Sequence, residues 1–197
     1  MNDFWNERYS SEEFAYGEEP NAFIHQQLVK LKPGKILFPA EGEGRNAVYA
    51  ASLGWQVTAF DLSTEGRKKA LQLAAKHNVN IQYLIDGYET VSFAKESFDC
   101  VVLVFAHIHK NKRAEYHHKL ASFLKPGGKL IMESFSKEQI FRESGGPKSP
   151  DMLYSVEDMK NDFADFSDLQ IEKTDTELLE GFFHNGKASV IRVIATK

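Results

Sequence analysis

Two glycines, an aspartate and a histidine carry most of the chemistry that can be read from this chain. Gly42 and Gly44 alternate with glutamates in the run Glu41-Gly42-Glu43-Gly44, and Asp61 follows Gly44 by seventeen residues. Glycines so placed let the backbone approach a ligand closely, and a helix opening just after them offers unpaired N–H groups. An acid at the end of the next strand can accept hydrogen bonds from ribose hydroxyls. Together they ask for a ligand that carries a nucleoside. Two commoner sites are excluded, because no G-x-x-x-x-G-K-[ST] occurs and Ala40 and Ala47 flank the two glycines where a full G-x-G-x-x-G would continue. His107 follows the apolar run Phe98 to Phe105, at the carboxyl end of a strand, where open α/β sheets bind their ligands. His107-x-His109 invites a metal, but no clear third ligand accompanies it, so none is expected. The single cysteine, Cys100, lies inside FDCVVLVF and reads as a packed strand residue.

These residues need elements to position them. Ile36 to Phe38 reads as a buried strand, and Ala47, Val48, Ala50, Ala51 and Leu53 recur at helical spacing after the glycines. A second strand, Val57 to Phe60, ends on Asp61, completing half of a nucleotide-binding βαβ unit. Ser63 is an N-cap for a helix running to His77, and Asn78 can end it. Ile81 to Ile85 forms a third strand that closes on Asp86-Gly87. Phe98 to Phe105 is a near-continuous apolar run, as expected of a central parallel strand covered on both faces. A helix over 111–124 stops at Leu124-Lys125-Pro126-Gly127-Gly128, and a fifth strand runs from Lys129 to Phe135. Gly145 to Pro150 is the loosest segment and reads as a mobile loop; Ser155-Val156-Glu157-Asp158 opens a helix with a capping-box pattern. The last strands, about Leu169 to Leu179 and Ala188 to Thr196, flank Asn185-Gly186, a type I′ turn signal that makes them antiparallel. At the other end, residues 3 to 30 read as one or two helices, the second starting at Pro20 and ending near Leu31 before Lys32-Pro33-Gly34.

AEGEGRNA, LKPGGKLIMESF and the terminal hairpin resemble the class I S-adenosylmethionine (SAM) methyltransferases, whose glycine motif is usually written D-x-G-x-G-x-G. Phe38 stands in place of the motif's acid and Ala40 in place of its first glycine. This variant is similar to the tellurite-resistance and thiopurine methyltransferase branch, and the resemblance runs from Trp5 to the final strand. It implies one domain over 1–197 with a Rossmann-like α/β fold. The sheet has seven strands in the order 3-2-1-4-5-7-6, mostly parallel with an antiparallel C-terminal hairpin, and helices on both faces. Residues 1–30 would form a helical lid, matching the branch's W…Y…YG…PN segment at Trp5, Tyr9, Tyr16, Gly17, Pro20 and Asn21. The implied cofactor is SAM, held by Tyr16, Gly17, Ala40, Glu41, Gly42, Gly44, Asp61, Leu62, Asp86, Gly87 and Phe105. The implied reaction is methyl transfer to a small molecule or oxyanion: a thiol, tellurite or a selenite-like acceptor. A base is required only if the acceptor arrives protonated; His107 and His184 could serve, and Arg45 and Lys148 could hold an anionic acceptor.

Composition sets the bounds. The 197 residues suit one domain, and 42% hydrophobic with 26% charged residues is ordinary for a globular protein. A net charge of −4 without a long basic run gives no support for nucleic-acid binding. No apolar segment reaches membrane-spanning length, MNDFWNERYS has no signal-peptide core, and one cysteine fits a reducing compartment, so a cytoplasmic monomer or homodimer is expected. Two rivals remain: a non-catalytic SAM-binding regulatory or interaction protein, for which the missing acid at Phe38 speaks, and a nicotinamide oxidoreductase, against which the incomplete fingerprint and the hairpin speak.

Overall fold

A computed structural model of the chain describes residues 2–197, leaving Met1 outside the described residues. Seven strands form one sheet in the order β3-β2-β1-β4-β5-β7-β6. They are β1 Lys35–Pro39, β2 Gln56–Asp61, β3 Gln82–Ile85, β4 Phe98–Val104, β5 Leu124–Phe135, β6 Ser167–Glu180 and β7 His184–Thr196. The first five pair in parallel, and β7 runs antiparallel to both β5 and β6. The helices are α1 Asn2–Tyr9, α2 Ala22–Leu28, α3 Arg45–Ser52, α4 Thr64–Lys76, α5 Lys110–Phe123 and α6 Val156–Asp162, with 3₁₀ turns at Lys137–Phe141 and Pro150–Met152. This is the expected class I methyltransferase architecture, strand order included.

Pleating decides which residue serves which layer. Along β1, Leu37 packs with Leu103, Leu120 and Phe123 on the α5 face, while Ile36 and Phe38 pack with Ile24, Leu28, Ala47 and Ala70 on the face covered by α2, α3 and α4. Phe38 is therefore a core residue with no exposed surface. Capping follows the sequence: the Ser63 hydroxyl accepts from Gly66 N at 3.0 Å, and Ser155 and Asp158 form a complete capping box at α6.

Three expectations need correction. The segment 124–128 does not merely stop α5. It opens β5 irregularly, pairing Leu124 with Phe98, and Gly127 N–H donates to the Lys197 carbonyl at 2.8 Å. The glycines of the 145–150 loop are tightly packed, since a Cβ on Gly145 would lie 2.2 Å from the Phe183 carbonyl oxygen and one on Gly146 2.7 Å from the Phe135 ring. The terminal hairpin turns at Gly181-Phe182-Phe183, whereas Asn185 and Gly186 lie within β7, opposite Leu179 and Leu178. The reason is packing: Leu178 and Ala188 are buried beneath Phe135, and the Ser144 hydroxyl accepts from Gln139 Nε2 at 3.0 Å and donates to the Lys187 carbonyl at 2.7 Å, so the ladder continues past the apparent turn signal.

The longer hairpin reaches the N-terminal segment. Phe183 N–H donates to the Ala15 carbonyl at 3.3 Å, and Gly181 (φ 69°) faces Gly17, where a Cβ would meet Gly17 N at 2.5 Å and the Ala15 oxygen at 2.7 Å. Gly181→Ala combines a left-handed backbone with this clash and should cost about 1–3 kcal/mol. The expected readout is a lower urea midpoint, with faster hydrogen exchange at residues 11–18 than in the sheet.

Candidate functional site

The site is built on the β1–α3 turn. Ala40, Gly42 and Gly44 all have positive φ (51°, 61° and 85°), which lets the chain reverse from strand to helix in five residues. Gly44 permits close helix packing, since a Cβ there would sit 2.5 Å from Ala70 Cβ. Gly42 faces the predicted lid: its Cβ would meet the Tyr9 hydroxyl at 2.5 Å, and its carbonyl accepts from the Tyr83 hydroxyl at 2.5 Å. Asp61 accepts from Gly42 N at 3.0 Å and from Ser63 N at 2.8 Å. Burial raises its pKa, opposed by the N–H groups of Ser63 and Gly42.

The two glutamates of the turn have different tasks. The Glu41 carboxylate accepts from Asn46 N at 2.9 Å and Ala47 N at 2.7 Å, capping α3 from within the turn. Burial lifts its pKa to about 7 against those hydrogen bonds. With Phe38 in the core, Glu41 is the acid that hydrogen-bonds the first turn of α3. Glu43 turns the other way, accepting from Ala15 N at 2.9 Å and from Lys69 Nζ at 2.8 Å, while Lys69 also donates to the Glu13 carbonyl at 2.6 Å.

A second wall lies across β2 and β3. Asp86 N–H donates to the Asp61 carbonyl at 3.1 Å, and a Cβ on Gly87 would approach Leu62 Cδ2 to 3.0 Å, so Asp61, Leu62, Asp86 and Gly87 come together. The Asp86 carboxylate accepts from its own turn, from Gly87 N and the Thr90 hydroxyl. The Tyr88 hydroxyl is buried beside Phe60 and Tyr116 with no hydrogen-bond partner.

The third wall is aromatic. Phe105 follows β4 with φ 49° and packs against Phe135 (centroids 4.4 Å apart) and His184 (4.5 Å). Tyr16 covers His184 at 4.4 Å and accepts from Arg8 at 3.3 Å. Tyr16, Phe105 and His184, far apart in sequence, thus share one cluster. An open cleft of about 470 Å³ lies at the seam of the N-terminal segment and the hairpin tip, lined by Phe4, Arg8, Phe14, Phe182 and Phe183 among others; none of the expected site residues borders it.

The expected catalytic side chains separate. His107 Nδ1 lies 2.6 Å from the Met152 carbonyl and its Nε2 accepts from Phe135 N at 3.3 Å, so the ring is the Nδ1–H tautomer with both nitrogens committed to backbone. Acting as the expected base would therefore require the ring to give up its hydrogen bond from Phe135 N. Arg45 is not available to an anion either: it is buried, its Nη2 pairs with Glu180 at 2.7 Å, and its Nη1 donates to the Glu19 carbonyl. Lys148 donates to the Arg142 carbonyl at the protein surface. His109 caps α5, accepting from Asn111 N, and faces Asp151. His184 keeps the chemical freedom the others lack. Its Nδ1 is buried without a hydrogen-bond partner, 3.6 Å from Glu180 Oε2.

Several participants escaped the sequence reading. Tyr83, Glu43 with Lys69, and Glu180 carried no motif signal, because their partners lie 26 to 135 residues away.

With this geometry in view, the class is clear: the fold is that of the class I SAM-dependent methyltransferases. Residues 36–128, just under half of the chain, match the family described as "Methyltransferase domain". The chain is 32% identical over 113 residues to the ubiquinone/menaquinone biosynthesis C-methyltransferase UbiE of Haemophilus ducreyi, a match covering 54% of this chain and 43% of that one. The chain spans less than half the length of the curated relatives it matches, which are quinone or hydroquinone methyltransferases by name. Among solved structures, a protein of echinomycin biosynthesis that converts a disulfide into a thioacetal superposes with TM-score 0.76 at 18% identity, covering all of this chain and 91% of that one. TehB from Haemophilus influenzae superposes with TM-score 0.74 at 17% identity, covering all of this chain and 66% of that one. Both superpositions show the fold alone, and the sequence relatives, quinone or hydroquinone enzymes by name, do not bear out the tellurite-resistance branch. No helix among the described residues is long and apolar enough to cross a membrane.

Two outcomes follow from the geometry. Burial pushes His107 down from 6.5 to about 4. Its contribution to stability is therefore full above the unfolded value near 6.5 and is lost as pH falls towards 4. NMR of the His107 ring should show no titration between about pH 5 and 8; a midpoint near 6.5 would mean that the ring is open to water. Lys69→Met leaves the Glu43 carboxylate buried and unpaired, an expected loss of about 3–5 kcal/mol in chemical denaturation, and adding Glu43→Gln should restore much of it.

Proposed function

We propose that this chain is a SAM-dependent methyltransferase acting on a small, soft nucleophile, with a thiol favoured over an oxyanion. The observation that carries this reading is the convergence of three walls. They are the glycine turn braced by Asp61, the Leu62–Asp86–Gly87 contact, and the aromatic cluster around His184. Bound SAM supplies an activated sulfonium methyl group; the rest is the work of the chain's own residues.

The residues fit that cofactor. Asp61 uses one oxygen for Gly42 and the other for Ser63, and a carboxylate retains further lone pairs for ribose hydroxyls. Gly42 and Gly87 carry no Cβ, so the Tyr9 hydroxyl and the Leu62 side chain stand where one would lie and the bare backbone can be approached closely, and the unpaired Tyr88 hydroxyl is a donor on the β3 side. Residues 2–30 act as a lid: Tyr9 lies over Gly42, and Ala15 is tied to the glycine turn through Glu43. We assign Tyr16, Gly17, Ala40, Glu41, Gly42, Gly44, Asp61, Leu62, Asp86, Gly87 and Phe105 to the cofactor side. Glu41 takes over the structural duty of the acid missing at Phe38.

Chemistry then depends on positioning in a dry site. A neutral thiol needs a base, and His184 serves, its second nitrogen taking the proton. An oxyanion would need an unmatched cation, and the Arg45 charge is already met by Glu180. The quinone enzymes among the relatives make a hydroquinone the next acceptor class to assay; it too arrives protonated, so it makes the same demand on His184.

Asp61→Ala should weaken SAM and S-adenosylhomocysteine alike, by roughly ten- to hundredfold, for the loss of a charged acceptor. Isothermal titration of the folded variant reads this directly, and unchanged affinity would take Asp61 out of the site. Titration with NADH and an assay over thiols, hydroquinones, selenite and tellurite separate the rivals. Binding of SAM without turnover of any acceptor would favour a regulatory SAM-binding protein.

A further inference from the structure

We infer that Glu180 is a positioning residue, holding His184 with one ring nitrogen toward its carboxylate and the other free to take a proton from the acceptor. This rests on the methyl-transfer reading and adds a residue that no sequence motif marks. The hairpin makes the pair: Glu180 is the last residue of β6, His184 the first of β7, and the three-residue turn sets them opposite each other in the ladder.

The carboxylate is itself fixed from two directions. Arg45 Nη2 donates to Oε2 at 2.7 Å, and Asn21 Nδ2 donates to Oε1 at 2.8 Å. Asn21 cannot swing away, since its backbone N–H donates to Asn46 Oδ1 at 2.9 Å, its Oδ1 accepts from Ile24 N at 3.0 Å, and its Nδ2 also reaches Glu133 at 2.6 Å. Oε2 therefore keeps a lone pair for His184 Nδ1, 3.6 Å away, the nearest acceptor to a buried nitrogen that has no other partner. Catalytic hydrogen bonds are often long before the substrate is bound, and this gap needs only a small closure. A carboxylate engaged so fully serves more than an ion pair between β6 and α3, because Arg45 and Asn21 would satisfy that pair without an imidazole beside it.

Charge supports the same arrangement. Although burial raises it, the His184 and Arg45 contacts hold Glu180 down to about 2, so it stays ionised. His184 is depressed by burial, with Glu180 opposing that effect and Arg45 and Arg8 adding to it. Tyr16 from the N-terminal segment and His107 after β4 are the other titratable groups close to the ring. Only Glu180 among these favours the imidazolium. In the step assigned to His184, the acceptor's S–H bond breaks, its electron pair stays on sulfur, and the proton moves to Nε2. The imidazolium so formed is balanced by the Glu180 carboxylate. This divides the labour as in other histidine–carboxylate pairs, with the acid orienting and stabilising and never itself protonated.

The test uses the whole chain with isotope-labelled histidine. In the wild type, ¹⁵N shifts should identify His184 as the Nδ1–H tautomer; finding Nε2–H would overturn the assignment without any variant. In Glu180→Gln, which keeps shape and loses charge, the His184 midpoint should fall by about one pH unit or more. With SAM, turnover of 2-mercaptoethanol should drop about 10–100-fold, while 4-nitrothiophenol, ionised at assay pH, should lose less than about threefold. Glu180→Asp should recover part of both. An unshifted His184 midpoint, or equal losses for the two thiols, would reduce Glu180 to an ion-pair partner of Arg45. S-adenosylhomocysteine titration of each variant keeps the two readings apart: a wild type that binds none of it defeats the methyltransferase proposal, whereas the NMR titration still decides whether Glu180 governs His184.

Discussion

The Asp61 carboxylate, shared between Gly42 N–H and Ser63 N–H, is the constraint on which the rest of this structure depends. One residue at the end of β2 fixes both the β1–α3 turn and the β2–α4 turn. Each turn begins a helix whose first N–H groups need partners, and each also lines the site. Burial disfavours the charged carboxylate, and the N–H donors offset that cost, a balance that holds only while both turns keep their present shape. Tyr83 reinforces it from β3 by donating to Gly42's carbonyl. Fixing the backbone before a ligand arrives means that binding need not order it, and preorganisation of this kind is where affinity is gained.

The N-terminal segment is attached to this frame at its most sensitive points. Glu43, a residue of the glycine turn, holds Ala15 through its backbone N–H and Lys69 through an ion pair, and Lys69 returns to the Glu13 carbonyl. On the opposite side, Arg8 lies 3.7 Å over the Phe183 ring and donates to Tyr16, while Gly181 and Gly17 allow the two backbones to touch. The segment is thus pinned by the glycine turn at one edge and by the hairpin tip at the other. Small movements of either edge are felt by Tyr9 over Gly42 and by Tyr16 over His184.

Legibility in the sequence followed the range of the forces involved. The glycine turn, the Ser63 cap and the Ser155 capping box are written locally, in hydrophobic runs and short polar spacings, whereas the strand order followed from the family resemblance, and all of them agree with the structure. The hairpin tip was misplaced because Asn185-Gly186 is a strong local signal. It is overridden by Leu178 and Ala188, whose burial depends on Phe135 more than forty residues earlier. Gly145 and Gly146 looked like markers of flexibility and instead serve close approach to Phe183 and Phe135, a distinction that requires knowing the neighbour. Within the proposed site, the residues assigned to the cofactor lie in or beside a short sequence motif. Those of the acceptor side do not, since Glu180, Asn21 and Glu133 meet across 112 and 159 residues of chain.

The two histidines show why position along a strand is a poor guide to chemistry. His107 occupies the expected place, immediately beyond β4, yet its ring is sandwiched near Phe135 and Tyr154 with a backbone partner on each nitrogen. A base in that setting would have to break a hydrogen bond to accept a proton and then carry a charge with no carboxylate beside it. His184 is equally enclosed by aromatic rings, but its nearest polar neighbour is an ionised acid, and that acid is locked by Arg45 and Asn21. Burial lowers both rings, so what distinguishes them is the presence of a fixed negative charge that can stabilise the protonated form. The same Arg45 that a sequence reading would offer to an anionic substrate is consumed in fixing that charge. In the proposed reaction this arrangement commits its cation to organising a base, which would suit acceptors that arrive with a proton rather than those that arrive as anions.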